Sequence, residues 1–283
     1  MTRDPGRRPW RTDDEWAQLS QRIAIAGDTR ERSTIRRAAM PLVAAAALIA
    51  AVATAVLFRR SSTALQQTVS RTVTTAAGER ATITLADSTL ITIGPATTLR
   101  IELTTARRSI TLDGLAEFHV AHDARRPFTV RAGNAVATDI GTEFVVRAYG
   151  ADSATRVSVL SGIVSLGCDT LATCKATTLS AGDIGVAART GVSRVASAAG
   201  SSADVAWIDG SLQFDDVPLG QVATELSRWF GADVRIEPGI ASRRITALYA
   251  KQSLDDVLSA IDATLHVAYR REGKVVIIAP RPE

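Results

Sequence analysis

The chain of 283 residues is long enough for one or two ordinary domains, and its formal net charge is +4. Most of this charge lies in residues 1–37, where nine arginines face six acidic residues. A local excess of this kind is typical of a segment beside a membrane and argues against a nucleic-acid-binding protein. We therefore expect no direct contact with nucleic acid.

Residues 1–37 are too few for a core of their own, but they contain one predicted amphipathic helix. Between residues 13 and 26 the apolar side chains recur at spacings of three and four, which is the period of a helix. A lone helix of about 14 residues is marginal in water and needs a surface to fold against. That surface is either a partner protein or the inner leaflet of a membrane. The apolar stripe consists of Trp16, Leu19, Ile23 and Ala26.

Residues 38–58 form an apolar run whose only polar side chain is Thr54. At about 1.5 Å per residue, a helix of this length just crosses a hydrocarbon core of about 30 Å. Paired arginines at 36–37 and 59–60 bound the run, which is unusual for a buried helix of a soluble protein. The sequence therefore predicts a single-pass membrane protein.

The distribution of arginine on the two sides of the run predicts its orientation. Nine arginines precede the run, whereas only two follow it up to Gln67. The positive-inside rule places the N-terminus in the cytoplasm and residues 59–283 on the outer side of the membrane. A cleaved signal peptide is the alternative, but it needs a short basic region and an apolar stretch of about 7–15 residues.

Residues 59–204 predict a linker followed by an all-β periplasmic domain. Short segments of alternating apolar and polar residues recur about every ten residues, for example Leu99 to Leu103. Turn residues such as Asp113-Gly114 separate them, and no helical pattern intervenes. This spacing is typical of an antiparallel sandwich or a barrel-like domain.

The same region holds few residues that could carry chemistry. His119 and His122 are three apart, so along a strand they point to opposite faces and make a poor metal site. No nucleophile motif is present, and we predict no catalytic, cofactor-binding or metal-ligating residue. Cys168 and Cys174 flank a short loop, where a disulfide would suit an oxidising periplasm; two free thiols are the alternative.

Residues 205–283 predict a small α+β module in the order βαβ-βαββ. Pro218 opens the first helix and Gly231 ends it, while Ser253 and Asp256 form a capping box for the second. Sheets of this kind leave an edge strand to which a partner can add by β-augmentation.

Five motifs occur in order in the outer region: T-A-A-G-E-R-A-T-I-T-L-A-D-S (75–88), G-L-A-E-F-H-V-A-H-D-A-R-R-P-F-T-V (114–130), D-I-G-T-E-F-V-V (139–146), V-L-S-G-I-V (159–164) and L-S-A-G-D (179–183). Taken together, these motifs resemble the FecR family of transmembrane anti-sigma regulators. The C-terminal region, which begins with the motif from Leu212 to Leu219, resembles the secretin and TonB short N-terminal module.

The resemblance implies a regulator that holds an extracytoplasmic-function sigma factor through its cytoplasmic tail and senses an outer-membrane transporter through its periplasmic part. Trp16, Leu19 and Ile23 are then the expected sigma-binding stripe, and the C-terminal module is the expected contact for the transporter's signalling domain. The alternative function is an envelope structural or ligand-binding protein anchored in the inner membrane.

Overall fold

A computed structural model describes residues 69–169, 174–196 and 202–281. The predicted tail (1–37) and the predicted membrane span (38–58) lie outside these ranges. Within them, no helix has the length and apolar character needed to cross a bilayer. The described residues form a β domain (69–196) followed by a C-terminal module (202–281).

The β domain is built from thirteen strands, as the alternating pattern predicts. Inward-facing positions alternate with exposed ones along most of them, because successive side chains of a strand point to opposite faces. The strands are β1 Val69–Thr75, β2 Ala81–Thr84, β3 Leu90–Ile93, β4 Thr97–Leu103, β5 Arg108–His119, β6 Phe128–Ala132, β7 Ala135–Asp139, β8 Glu143–Ala148, β9 Thr155–Ser161, β10 Ile163–Cys168, β11 Thr177–Ser180, β12 Asp183–Ala188 and β13 Gly191–Ala196.

Strand β5 joins the two halves of a nearly closed, barrel-like sheet. Its first half pairs with β4 and β6, and its second half pairs with β3 and β8. The predicted turn at Asp113-Gly114 is wrong, because both residues lie inside this strand. Gly114 has φ +129°, and a Cβ on it would lie 2.3 Å from the hydroxyl oxygen of Thr97. Only glycine fits this position.

The prediction of a purely antiparallel sheet is also wrong, because β6 runs parallel to β5. The chain returns to the start of β5 through residues 120–127, and the side chain of Arg108 holds this return. The guanidinium is 1% exposed and donates to the carbonyls of Ala121, at 2.8 Å, and Arg126, at 2.7 Å. It also pairs with the carboxylate of Asp87 at 3.0 Å.

One hydrophobic core lies between the two halves of the sheet. Three phenylalanines form its centre: the ring of Phe118 lies 5.2 Å from that of Phe144 and 5.9 Å from that of Phe128. Aromatic pairs at these distances add to the stabilisation that burial gives.

The C-terminal module follows the predicted order of strands and helices. Helix α2 ends at Gly231, which adopts a left-handed conformation with φ 64°. Helix α3 begins with the predicted capping box, in which Ser253 and Asp256 satisfy each other's backbone N–H groups. The elements are α1 Ser202–Val205, β14 Ser211–Pro218, α2 Leu219–Phe230, β15 Asp233–Ile236, β16 Arg244–Ala250, α3 Leu254–Leu265, β17 Val267–Glu272 and β18 Val275–Pro280.

The strands of the module form two small sheets. Among the described residues β14 pairs with β16 alone, and β18 lies between β15 and β17. Helices α2 and α3 bury their apolar faces in a second hydrophobic core, distinct from that of the β domain. Leu226 of α2 and Ile261 of α3 are fully buried in it.

Candidate functional site

The residues predicted from the sequence fall in different places. Trp16, Leu19 and Ile23 lie outside the described residues. Cys168 ends β10, and its sulfur is bonded to that of Cys174, with the two Cα atoms 5.9 Å apart. Neither of the described cysteines is free.

The two histidines considered as metal ligands do not converge. His119 is exposed at the end of β5, and its closest acidic partner is Glu143 at 3.8 Å. His122 packs against Gly141, where an added Cβ would lie 2.6 Å from the imidazole Nδ1. Within the described ranges, no group of three or more acidic, histidine or cysteine side chains could hold a metal ion.

The most elaborate polar cluster instead lies where the C-terminal module meets the β domain. Arg147 of β8 makes a two-pronged pair with Glu225 of α2, with distances of 2.8 and 3.0 Å. Its Nε also donates to Asp152 at 2.9 Å. Two parallel hydrogen bonds between an arginine and a carboxylate fix orientation as well as adding free energy. We call this cluster, with Tyr149 and Arg228, the junction.

Arg228 and Tyr149 complete the junction. The guanidinium of Arg228 lies 4.0 Å from the centroid of the Tyr149 ring and 3.3 Å from Glu225. The phenol of Tyr149 donates to the carbonyl of Pro95 at 2.7 Å. The ring is therefore held from its edge by the β domain and from its face by a cation of the module.

In the junction the pKa of Glu225 is lowered and the pKa of Tyr149 is raised. Burial alone would raise the pKa of Glu225, but the hydrogen bond and charge of Arg147, with the charge of Arg228, lower it below its usual range. Burial, aided by the charge of Glu225, raises the pKa of Tyr149 to about 12. Glu225 is therefore held ionised and Tyr149 neutral.

A second ion pair and an apolar cluster extend this contact. Asp204 of α1 is almost fully buried and receives Arg156 of β9 at 2.6 Å and the hydroxyl of Ser158 at 3.3 Å. Trp207 is 3% exposed and packs with Tyr149. The other buried members of this apolar cluster are Leu115 and Val145.

Backbone contacts also join the β domain to the C-terminal module. Gly78, in the turn after β1, donates its N–H to the carbonyl of Arg228 at 2.8 Å. A Cβ on Gly231 would lie 2.9 Å from the carbonyl oxygen of Ala77, so no side chain fits there. Arg80 lies 5.2 Å from the ring of Trp229 and donates to the carbonyl of Trp207 at 3.2 Å. These contacts join the β domain and the module into one compact unit.

A groove of about 410 Å³ runs beside this contact region, along one edge of β14. Its lining includes Gln213 and Asp215 of β14 and Arg147 and Arg156 of the β domain. Trp207 also lines it, and its buried indole N–H has no hydrogen-bond partner among the described residues. Both the module and the β domain therefore contribute to this groove.

Sequence patterns could not have shown the junction. Arg147 and Glu225 are 78 positions apart, and each lies in a segment that reads as an ordinary strand or helix. Trp229, near the end of α2, lies at the edge of the module's core and against Arg80.

Comparisons with known proteins agree with this arrangement. Two family profiles match the chain, "FecR protein" over residues 71–165 and "FecR, C-terminal" over residues 211–278. Arg147 lies in the first matched region and Glu225 in the second, so the junction joins the two. No curated protein matches the sequence.

Solved structures show the same fold. Two crystal structures of a candidate anti-sigma factor from Parabacteroides distasonis ATCC 8503, at 2.50 and 1.65 Å resolution, are similar to it with a TM-score of 0.67 and 25% sequence identity. They match 76% and 75% of this chain and the whole of theirs. The chain therefore belongs to the FecR family.

Proposed function

We propose that this chain is a single-pass inner-membrane anti-sigma regulator, not an enzyme. It relays a signal from the periplasm or outer membrane to an extracytoplasmic-function sigma factor and so controls transcription. The observation that carries this proposal is the match of two FecR-family regions, in order, downstream of a predicted membrane span. The similar solved protein, itself described as a candidate anti-sigma factor, supports it.

In this proposal the cytoplasmic tail, residues 1–37, binds the sigma factor through Trp16, Leu19 and Ile23. Residues 38–58 cross the membrane, and residues 59–283 lie in the periplasm as a linker with the β domain (59–204) and a region that contains the module (205–283). The module contacts the signalling domain of an outer-membrane transporter. The junction supports a direct relay, because a force on the module reaches the β domain through ion pairs and close backbone contacts.

The tail is tested by immobilising residues 1–37 and measuring which sigma factors of the source organism it retains. Trp16→Asp with Ile23→Asp places charges in the apolar stripe, and we expect the retained sigma factor to be lost. Gln18→Asp with Gln21→Asp adds the same charge to the opposite face of the predicted helix and should leave retention unchanged. Retention unaffected by the first pair would show that the stripe is not the contact.

An envelope structural or ligand-binding protein is the second candidate, and the groove along β14 favours it. The two functions differ in the tail assay. If no sigma factor is retained while a longer-tailed relative retains one, the envelope role becomes the better account.

A further inference from the structure

Strand β14 has an edge to which a further strand could pair. β14 pairs on one side with β16 and with no strand on its other side within the described ranges. Ser211 donates its N–H away from β16, to the carbonyl of Ala206 at 3.0 Å. Because antiparallel residues alternate in their hydrogen-bonding direction, Gln213 presents both its N–H and its C=O to this same free edge.

The groove turns this edge into a bounded site. A strand that pairs with this edge lies beside a groove whose lining includes β14 from Ser211 to Asp215 and the side chains of Arg147 and Arg156. The backbone groups of the free edge favour an occupant that offers repeated N–H and C=O groups of its own.

The charges of the groove indicate what the occupant carries. Three carboxylates line it against two guanidinium groups, and both guanidinium groups are engaged by Glu225 and Asp204. Asp215 is exposed and has no ion-pair partner among the described residues. The net negative lining contrasts with the positive charge of the whole chain, and it complements a basic side chain.

We propose that an extended, basic segment of a partner protein binds in this groove by adding a strand to β14. Main-chain hydrogen bonds to Gln213 give affinity, and a lysine or arginine opposite Asp215 gives selectivity. This inference rests on the proposed function in that it assigns a site to the partner of the module. Its test uses residues 65–283 alone, so it can fail while sigma binding by the tail holds.

Residues 65–283 are a suitable sample, because they form one compact unit and the similar crystallised chain aligns over its whole length with this part of the sequence. The probe is a library of random dodecapeptides displayed on phage, from which binders are selected, synthesised and titrated by fluorescence anisotropy. We expect alternating sequences that contain lysine or arginine. A selection that yields no binder overturns the proposal.

Gln213→Pro removes the free N–H and blocks this edge without removing a hydrogen bond to β16. We expect it to weaken binding of the selected peptide at least tenfold. Leu248→Pro is the matched control, because Leu248 is the cross-strand partner of Gln213 and presents its own backbone to the outer edge of β16. Equal binding by wild type and Gln213→Pro, or loss only in Leu248→Pro, contradicts the proposed site.

Two further measurements do not depend on a proline variant folding. Methylating alternate backbone nitrogens of the peptide should abolish binding in one register and spare it in the other, as strand addition requires. Asp215→Asn should weaken binding about threefold, and less at high salt. A peptide that binds equally with both methylation patterns does not add as a strand.

Discussion

The interior of the β domain and the junction both depend on an arginine, but the two arginines have different acceptors. Arg108 is fully buried and is satisfied mainly by backbone carbonyls of its own domain, with one carboxylate, Asp87. Arg147 is partly buried and is satisfied by two carboxylates, one of them from the module. The first arrangement fixes the path of a chain, whereas the second fixes two folded parts against each other.

The largest effect is expected from Arg108→Met in residues 65–283. The change leaves Asp87 without its cation and leaves buried carbonyls without a donor. Removing one partner of a buried pair costs about 3–5 kcal/mol, so the free energy of unfolding should fall by that amount in urea titration. Arg107→Met, one position earlier and exposed, should change it by less than about 0.5 kcal/mol. Similar effects of the two changes would mean that Arg108 does not hold the return segment.

Glu225→Gln should separate the module from the β domain without unfolding either. The two tryptophans of residues 65–283, Trp207 and Trp229, both lie in this contact region, so their emission reports on it. We expect the free energy of unfolding to fall by about 2–3 kcal/mol, since the ion pair is partly exposed. The fluorescence transition should occur at a lower urea concentration than the circular-dichroism transition. Asp255→Asn breaks an exposed ion pair of the same module and should leave the two transitions coincident. Coincident transitions in Glu225→Gln would refute a separable junction.

The stability of the junction should fall at both extremes of pH. A lowered pKa of Glu225 means stability that is present above its unfolded pKa, about 4.5, and lost as the pH falls through the lower folded value. A raised pKa of Tyr149 means stability that is present below pH 10 and lost between about 10 and 12.

The loss of stability at alkaline pH is easier to isolate by mutation than the loss at acidic pH. Between pH 10 and 12 the free energy of unfolding of the wild type should fall by about 2 kcal/mol more than that of Tyr149→Phe, because phenylalanine has no proton to release. Below pH 10 the free energy of unfolding of the variant should be about 1 kcal/mol lower, since it lacks the hydrogen bond to Pro95. Parallel pH profiles for the two proteins would show that ionisation of Tyr149 does not cause the loss of stability at alkaline pH.

The smallest effect should come from Cys168→Ser with Cys174→Ser. The disulfide closes a short loop at one end of β10, so its loss should cost about 1–2 kcal/mol and leave tryptophan emission unchanged. Mass spectrometry of unreduced, exported protein should show the two cysteines joined. Two thiols that react with an alkylating reagent in that sample would contradict both the bond and the predicted periplasmic location.

Elements with a strong local signal could be predicted from the sequence. The capping box at Ser253, the left-handed Gly231 and the alternation within each strand depend on neighbours in the chain. The direction of a strand depends on contacts that are distant in the chain. β6 runs parallel to β5, and the guanidinium of Arg108, twenty positions before β6 begins, holds the segment that connects them. The Asp113-Gly114 pair resembles a turn, yet both residues lie within β5, and Gly114 is glycine because Thr97 occupies the space that a side chain would need.

The candidate site was harder to predict than the fold. Its charged residues come from β8, the segment after it, and α2, and each is ordinary in its own segment. Arg107 and Arg108 are neighbours in the sequence, yet the structure exposes the first and buries the second. The predicted sigma-binding stripe stays a prediction, because Trp16, Leu19 and Ile23 lie outside the described residues.

Strand β5 also determines the order in which the β domain can assemble as the chain is synthesised. Both halves of the sheet end on β5, which pairs with β3, β4, β6 and β8. One half also needs β10 and β11, and the other needs β9, β12 and β13. A nascent chain that stops before Ile163, where β10 begins, leaves both halves incomplete and their edges unpaired, so we expect it to need a chaperone until then.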